Sequence, residues 1–204
     1  MKKQLLATFV LMAVAASAHA VSIVGSFALN KVSPLGVNEF INNFGPTGSP
    51  TLANADRVNL RAGNNSRVLN GNASGTFGSG AGDINGMLGQ LYDFTFNSAT
   101  YPNIPTAPLL TIGSFTFNLQ GWNSRLQSTT SILLTGYGIF TTTLPGYQPT
   151  LGTVSISFSK SSFSTNVNYS ATFTSSAVPD GGSTVVLLGA AVAACVLLPR
   201  RKSV

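Results

Sequence analysis

The stretch Ile112-Gly113-Ser114-Phe115-Thr116-Phe117-Asn118-Leu119 alternates apolar residues with small or polar ones. Side chains of a β-strand point to opposite faces in turn, so this stretch predicts a strand with one buried face. The same period of two recurs at 91–97, 153–158 and 166–174, and further candidate strands are 22–29, 57–61 and 131–143. The chain is therefore predicted to be all-β.

Glycine and proline separate these candidate strands, as in NNFGPTGSP at 42–50 and TLPGYQPTLG at 143–152. Such residues favour tight turns, and short strands joined by turns favour antiparallel pairing. We expect residues 21–177 to form a single antiparallel β-sandwich-like domain. The phenylalanines of the alternating strands are predicted to face its core, namely Phe94, Phe96, Phe115 and Phe117.

The first twenty residues have the layout of a secretory signal peptide. Lysines precede the apolar run 5–16, and the small residues Ala18 and Ala20 occupy the −3 and −1 positions of a cleavage site. The apolar run is too short to span a bilayer comfortably. We expect export through the general secretory machinery and removal of residues 1–20 by signal peptidase, so that the mature chain begins at Val21.

The two ends also supply most of the formal charge of +6. Between residues 21 and 199, six basic side chains stand against five acidic ones, which leaves a net charge of +1. This balance gives no support for nucleic-acid binding. Arg57, Arg61 and Arg67 either contact an acidic polysaccharide or form a solvated strand face, and the near-zero net charge favours the second interpretation.

The sequence between the two ends is poor in catalytic side chains. His19 and Cys195 are the only histidine and the only cysteine, and both lie outside residues 21–177. Histidine- or cysteine-dependent catalysis, histidine metal sites and disulfides are therefore not expected. We predict that the protein is not an enzyme and uses no cofactor or metal.

Two features of the sequence nevertheless suggest other chemistry. The glycine-rich stretch 75–89 lacks the lysine of a phosphate-binding loop and the third glycine of a dinucleotide fingerprint, so we interpret it as a loop. Paired carboxylates are the remaining route to glycoside hydrolysis. The acidic residues available for a hydrolytic enzyme, the third alternative for function, are Glu39, Asp56, Asp83 and Asp93.

The chain ends with a polar motif, an apolar stretch and a basic cluster, in that order. The motif is Val178-Pro179-Asp180-Gly181-Gly182, residues 184–198 form the apolar helix candidate, and Arg200, Arg201 and Lys202 follow. The uncharged positions 181–199 would reach about 28 Å as a helix, which is enough to span a membrane. The basic cluster would act as a stop-transfer signal and stay in the cytoplasm, with the domain outside.

This tail resembles a PEP-CTERM sorting domain, the substrate signal of exosortases, in a variant with Val-Pro-Asp-Gly-Gly in place of the commoner Val-Pro-Glu-Pro. The resemblance covers residues 178–204. It implies export by a Gram-negative bacterium, a transient hold in the inner membrane, and cleavage near the motif by an exosortase-type membrane protease. Proteins with such tails are associated with extracellular polysaccharide and biofilm, which implies a location at the cell surface or in the extracellular matrix.

Two functions remain open for the β domain, and both make extracellular polysaccharide a candidate partner. The first is a structural or adhesive role at the cell surface or in the matrix. The alternative is a carbohydrate-binding module that uses exposed aromatic side chains, for which the candidates are Trp122, Tyr137 and Tyr147. The sequence favours the structural or adhesive role.

Overall fold

The computed structural model describes residues 20–32, 52–55, 57–58, 60, 63–96, 108–160 and 167–176. Ala18, the sorting motif 178–182, the predicted transmembrane stretch 184–198 and the basic cluster 200–202 lie outside these ranges. Within them, no helix has the length and apolar character required to span a membrane.

Twelve strands and three short 3-10 turns make up the secondary structure of these ranges. The strands are β1 (Val21–Ser22), β2 (Gly25–Lys31), β3 (Arg57–Val58), β4 (Ser66–Ala73), β5 (Leu88–Leu91), β6 (Phe94–Thr95), β7 (Leu110–Ile112), β8 (Phe115–Gln127), β9 (Ser131–Thr142), β10 (Tyr147–Gln148), β11 (Thr150–Lys160) and β12 (Val167–Ser175). The 3-10 turns are η1 (Leu52–Asn54), η2 (Gly75–Phe77) and η3 (Gly80–Gly82). The stretch 75–89 that the sequence predicted as a loop contains η2, η3 and the start of β5.

Eight strands form a closed antiparallel barrel in the order β2, β4, β5, β7, β8, β9, β11 and β12, and β12 pairs with β2 to complete the ring. Each strand of the ring therefore neighbours the barrel strand that precedes it along the chain. The predicted all-β, antiparallel character is confirmed. The predicted sandwich is wrong, because the first and last strands of the ring pair with each other and the sheet does not divide into two layers. Outside the ring, β1 pairs in parallel with β10, and β3 pairs with β6.

Bulges and inward-facing glycines explain why the sheet curves enough to close. The β8–β9 register shifts between Leu119 and Gly121 and again between Trp122 and Ser124. Bulges of this kind bend a strand and increase its twist. On β9, a Cβ at Gly138 would lie 2.7 Å from Cζ of Phe117 and 2.3 Å from the Asn118 carbonyl oxygen. Large rings thus occupy the space that glycine leaves open inside the curved sheet.

Phenylalanine side chains fill the interior of the barrel. Phe27 stacks on Phe173 with ring centroids 5.2 Å apart, and Phe117 lies 4.7 Å from Phe140. Phe77 of η2 closes the same region from the loop, 4.8 Å from Phe27. An eight-stranded barrel is wide enough only for packed side chains or one small ligand, and here side chains take the space. The predicted core positions are all buried, namely Phe94, Phe96, Phe115 and Phe117.

The antiparallel ring has two ends, which we name after a residue at each. At the Ser175 end, β12 finishes beside the start of β2, since Ser175 pairs with Gly25. At the Lys31 end, β2 finishes beside the start of β4, since Lys31 pairs with Ser66. The end of β11 also lies at the Lys31 end, because Lys160 pairs with Val167 at the start of β12, and β12 pairs with β2 near Asn30. The β8–β9 turn lies at the same end, because Ser131 of β9 pairs with Ser159 of β11.

Candidate functional site

The predicted first residue of the mature chain, Val21, lies at the surface of the Ser175 end. Its backbone N–H donates to the Gly146 carbonyl oxygen at 2.7 Å, and Val21 pairs in parallel with Tyr147. The Val21 side chain is 60% exposed, and Ala20 before it is also exposed. The predicted cleavage point therefore coincides with the start of the first strand.

Ile23 fastens this first segment to the last strand of the barrel. The Ile23 N–H donates to Oγ1 of Thr150 at 2.9 Å, and the Ser175 hydroxyl donates to the Ile23 carbonyl oxygen at 2.8 Å. The Ile23 side chain is fully buried. The beginning of the described chain and its last described residue, Ser176, are thus held at the same end of the barrel.

The three aromatic residues considered for glycan stacking lie in different environments. Trp122 is only 3% exposed, its Nε1 donates to the Thr95 carbonyl oxygen at 3.1 Å, and its ring lies 5.2 Å from that of Phe94. The proposal of Trp122 as an exposed platform is therefore wrong. Tyr147 is half-buried and packs against the core.

Tyr137 remains as the exposed aromatic of the three, at 45%. Its ring lies over Gly121 on the neighbouring strand, since a Cβ at Gly121 would come within 3.1 Å of Cε1 and of the hydroxyl oxygen. Tyr137 also pairs with Thr153 of β11. A ring held over a glycine leaves one face open on the outer surface of the barrel.

The carboxylates available for hydrolysis are not brought together within the described residues. Asp83 follows η3 at the Ser175 end, where its Oδ1 accepts from the N–H and the side-chain amide of Asn85, both at 2.9 Å. Asp93 follows β5 at the Lys31 end, where its Oδ1 accepts from the Leu60 N–H at 2.6 Å. Glu39 and Asp56 lie outside the described residues. Nor do the described ranges contain a group of three or more His, Cys, Asp or Glu placed to hold a metal ion.

Basic residues gather at the Lys31 end. Lys160 pairs with Val167 across β11 and β12, Nζ of Lys31 donates to the Val167 carbonyl oxygen at 3.3 Å, and Arg67 of β4 pairs with Asn30 beside Lys31. These three basic residues follow one another around the rim of the barrel. Their order results from the alternation of strand direction in the ring.

Arg125 and Arg57 belong to the same end through the β3–β6 pair. Nη1 of Arg125, near the end of β8, donates to the Phe96 carbonyl oxygen at 3.3 Å. The backbone of Arg57 pairs with Thr95, the residue before Phe96. The sequence indicated Arg57, Arg61 and Arg67 as a group, but it did not indicate Lys31, Arg125 or Lys160, which are distant in the chain.

The charges of the domain are therefore separated between its two ends. Four basic residues with described side chains lie at the Lys31 end, Lys31, Arg67, Arg125 and Lys160, and with the described acid Asp93 they give a formal +3. The Ser175 end contains Asp83. Among the described side chains, the Lys31 end thus carries the net positive charge.

A groove of about 490 Å³ opens at the Lys31 end where the β8–β9 hairpin meets β11. Leu126 and Leu133, which are 67% and 37% exposed, pair across the hairpin and provide apolar surface. The polar part of the lining comes from Gln127, Ser128, Ser131, Ser157 and Ser159. Arg125 immediately precedes the groove segment of β8, and Lys160 immediately follows that of β11.

The turn beside this groove is fixed by its own hydroxyls. Oγ of Ser128 accepts from the backbone N–H groups of Thr130 and Ser131, at 3.2 and 2.9 Å. The Lys160 N–H donates to the Thr130 carbonyl oxygen at 2.9 Å, which ties β11 to the same turn. The hydrogen-bonded backbone therefore fixes the shape of the turn beside the groove.

Comparison of the chain with protein-family models, with curated proteins and with solved structures finds no match.

Proposed function

We propose that this chain is an exported protein of the cell surface or extracellular matrix of a Gram-negative bacterium, with a structural or adhesive role. An exosortase-type membrane protease processes its C-terminal tail, and signal peptidase removes residues 1–20. The proposal rests on the signal-like N-terminus, on the PEP-CTERM-like tail and on the arrangement of the barrel between them.

The observation that carries the proposal is the position of the two chain exits. Val21 and Ser176 both lie at the Ser175 end, where Ser175 contacts Ile23. A membrane-held tail that begins after Ser176 would draw this end toward the bilayer. The Lys31 end would then point outward, away from the membrane. This orientation suits a protein that acts through the outer surface of a filled barrel.

The C-terminus of the protein from its native host tests the proposal. With a working exosortase, mass spectrometry is expected to find a mature C-terminus near residues 178–182 and an N-terminus at Val21. Changing Pro179→Ala together with Asp180→Ala should leave the chain ending at Val204, whereas Ser176→Ala, outside the motif, should be processed normally. A C-terminus at Val204 in the unaltered protein would mean that the tail is a permanent anchor.

The second candidate is a carbohydrate-binding module, and the open face of Tyr137 is the observation that favours it. Aromatic rings presented on a rigid sheet bind the apolar faces of sugar rings. Glycan-array binding that is lost in Tyr137→Ala, with an unchanged melting temperature, would support this function. Tyr147→Ala is not an equivalent control, because Tyr147 packs against the core; Leu151→Ala, at an exposed position of β11, is better matched.

A further inference from the structure

We propose that the Lys31 end of the barrel is a binding site for an acidic polysaccharide. The groove between the β8–β9 hairpin and β11 receives sugar residues, and the basic side chains around the rim pair with their carboxylate groups. This proposal builds on the matrix location proposed above and names the partner class of that role.

Charge separation is the first argument. The ring order brings Lys160, Lys31 and Arg67 side by side around the rim, although they are far apart in sequence. Arg125 lies at the same end on β8, and its contact with Phe96 places it beside the β3–β6 pair. A concentration of one charge sign raises the local concentration of opposite charge and speeds association. The occupant that fits such an end is a polyanion.

The lining of the groove is the second argument, because it specifies which polyanion. Leu126 and Leu133 offer apolar surface of the kind that contacts the C–H face of a sugar ring, while serine and glutamine side chains surround it. Sites for small polar ligands combine an apolar wall with a few hydrogen-bonding groups in this way. Lys160 directly follows the groove residue Ser159, and strand alternation places its half-buried side chain on the opposite face of β11, toward the rim of the barrel.

The aromatic residues argue against nucleic acid as the occupant. Proteins that bind single strands stack the bases on exposed aromatic rings. At this end, five described aromatic side chains are buried in the core, Phe94, Phe96, Trp122, Phe158 and Tyr169, and the half-buried Tyr92 has its hydroxyl hydrogen-bonded to Thr111. A sugar acid polymer needs charge and hydrogen bonds but no stacking surface, so it is the better match.

A lipid surface fits this end less well than a polysaccharide does. Membrane-surface binding buries a protruding apolar face beside basic residues. Here the exposed apolar surface beside the hairpin comes from two leucines, Leu126 and Leu133, with serine and glutamine side chains next to them. The proposed tail also draws the opposite end of the barrel to the membrane, which leaves the Lys31 end facing the extracellular polymer.

The test measures binding of the full chain, purified in a neutral detergent, to immobilised polygalacturonate. The test variant is Arg67→Gln with Lys160→Gln, which removes two positive charges from the Lys31 end. The matched control is Thr143→Glu with Thr153→Glu, which changes the net charge equally at exposed positions toward the Ser175 end. Neutral dextran, duplex DNA and phosphatidylglycerol vesicles serve as comparison ligands. Thermal melting checks that each variant folds, and Arg67→Gln alone replaces the pair if the double variant does not.

We expect unaltered protein to bind polygalacturonate, with affinity that falls as ionic strength rises. The Arg67→Gln, Lys160→Gln variant should bind about three- to tenfold more weakly, because it lacks two of the positive charges at the Lys31 end. The control should bind nearly as well as unaltered protein. Absence of binding at low ionic strength, an equal loss in both variants, or preference for DNA or vesicles would each overturn the proposal. The assay does not depend on C-terminal processing, so its failure leaves the mass-spectrometric test of the proposed function intact.

Discussion

The side chain of Asn65 takes the place of a backbone partner for β5 just before β4 begins at Ser66. Gly63 and Asn64 before it have positive φ angles of 82° and 36°, so the backbone turns away and cannot continue the β4–β5 ladder. The Asn65 amide instead donates to the Leu91 carbonyl oxygen at 2.7 Å, and its Oδ1 accepts from the Leu91 N–H at 2.9 Å. The Tyr169 hydroxyl donates to the Asn65 carbonyl oxygen at 2.6 Å. One buried side chain thus satisfies both backbone groups of a neighbouring strand.

Replacing Asn65→Ala is expected to lower the free energy of unfolding by about 2 kcal/mol, because the buried Leu91 N–H loses its acceptor, while the Leu91 carbonyl oxygen keeps only the Gln90 side-chain amide as a donor. Urea unfolding of the folded domain measures the change. Asn72→Ala, at an exposed position on the same strand, is the matched control and should change stability by less than about 0.5 kcal/mol. Similar losses in the two variants would show that the Asn65 amide does not support the sheet.

Trp122 shows at the same scale why one sequence-based interpretation was wrong. The alternation that begins at Phe115 and Phe117 shifts at the bulge between Leu119 and Gly121, so Trp122 pairs with Gly136 on the inner face and is buried. A bulge adds a residue to one strand and changes which face the following side chains occupy. The local sequence gives no sign of this shift, because it depends on how β8 pairs with β9.

At the scale of elements, alternation predicted the strands whose inward positions are large and apolar. β8, β9, β11, β12 and β2 all overlap predicted strands, but the stretch 112–119 is not one strand, because a turn at Gly113 and Ser114 separates the end of β7 from the start of β8. β4 was missed, since its sequence Ser-Arg-Val-Leu-Asn-Gly-Asn-Ala has few large apolar residues. It forms because β2 on one side and β5 on the other supply hydrogen-bonding partners. Periodicity reveals the face a strand buries, but not its neighbours, so neither the closure of the ring nor the basic end could be predicted.

The segment Val21–Ile23 is expected to stabilise the whole barrel although it lies outside the ring. A mature-form chain that begins at Val24 loses the buried Ile23 side chain and its hydrogen bonds to Thr150 and Ser175. We expect a loss of about 3 to 5 kcal/mol in unfolding free energy. A chain that begins at Ser22 keeps Ile23 and should lose much less. Chemical denaturation of the two shortened chains tests this, and equal stability would contradict a role for Ile23 as a fastening point.

At the scale of the whole molecule, total charge and the distribution of charge have different meanings. The net charge of +1 led to the expectation that the arginines form an ordinary solvated face. The ring order places bases from β2, β4, β8 and β11 at one end, and the sum over the chain conceals this. Total charge informs about solubility, whereas the local field depends on where the strands end.

The domain 21–177 is expected to unfold in a single cooperative transition, because its strands form one ring around one core. The core cluster runs from Ile23 and Phe27 at the Ser175 end to Trp122 and Tyr169 at the Lys31 end. Opening the ring at any strand exposes that shared core, so partly open forms are disfavoured. Trp122 is the only tryptophan and reports on the Lys31 end, while far-ultraviolet circular dichroism reports on all strands. The two signals should give the same midpoint and a β-type spectrum at low temperature.

The same melting experiment tests whether packing and hydrogen bonds alone hold the fold. Residues 21–177 contain no cysteine or histidine, so reducing agents should leave the melting temperature unchanged. We expect chelators to leave it unchanged as well, because the carboxylates of Asp83 and Asp93 accept hydrogen bonds from Asn85 and Leu60. Separate midpoints for Trp122 fluorescence and circular dichroism would show that the two ends unfold independently. A fall of many degrees in the melting temperature with chelator would reveal a bound cation. The variants Asp83→Asn and Asp93→Asn would then locate it. The variant that removes a ligand should melt, without chelator, at the temperature at which the unaltered protein melts with chelator.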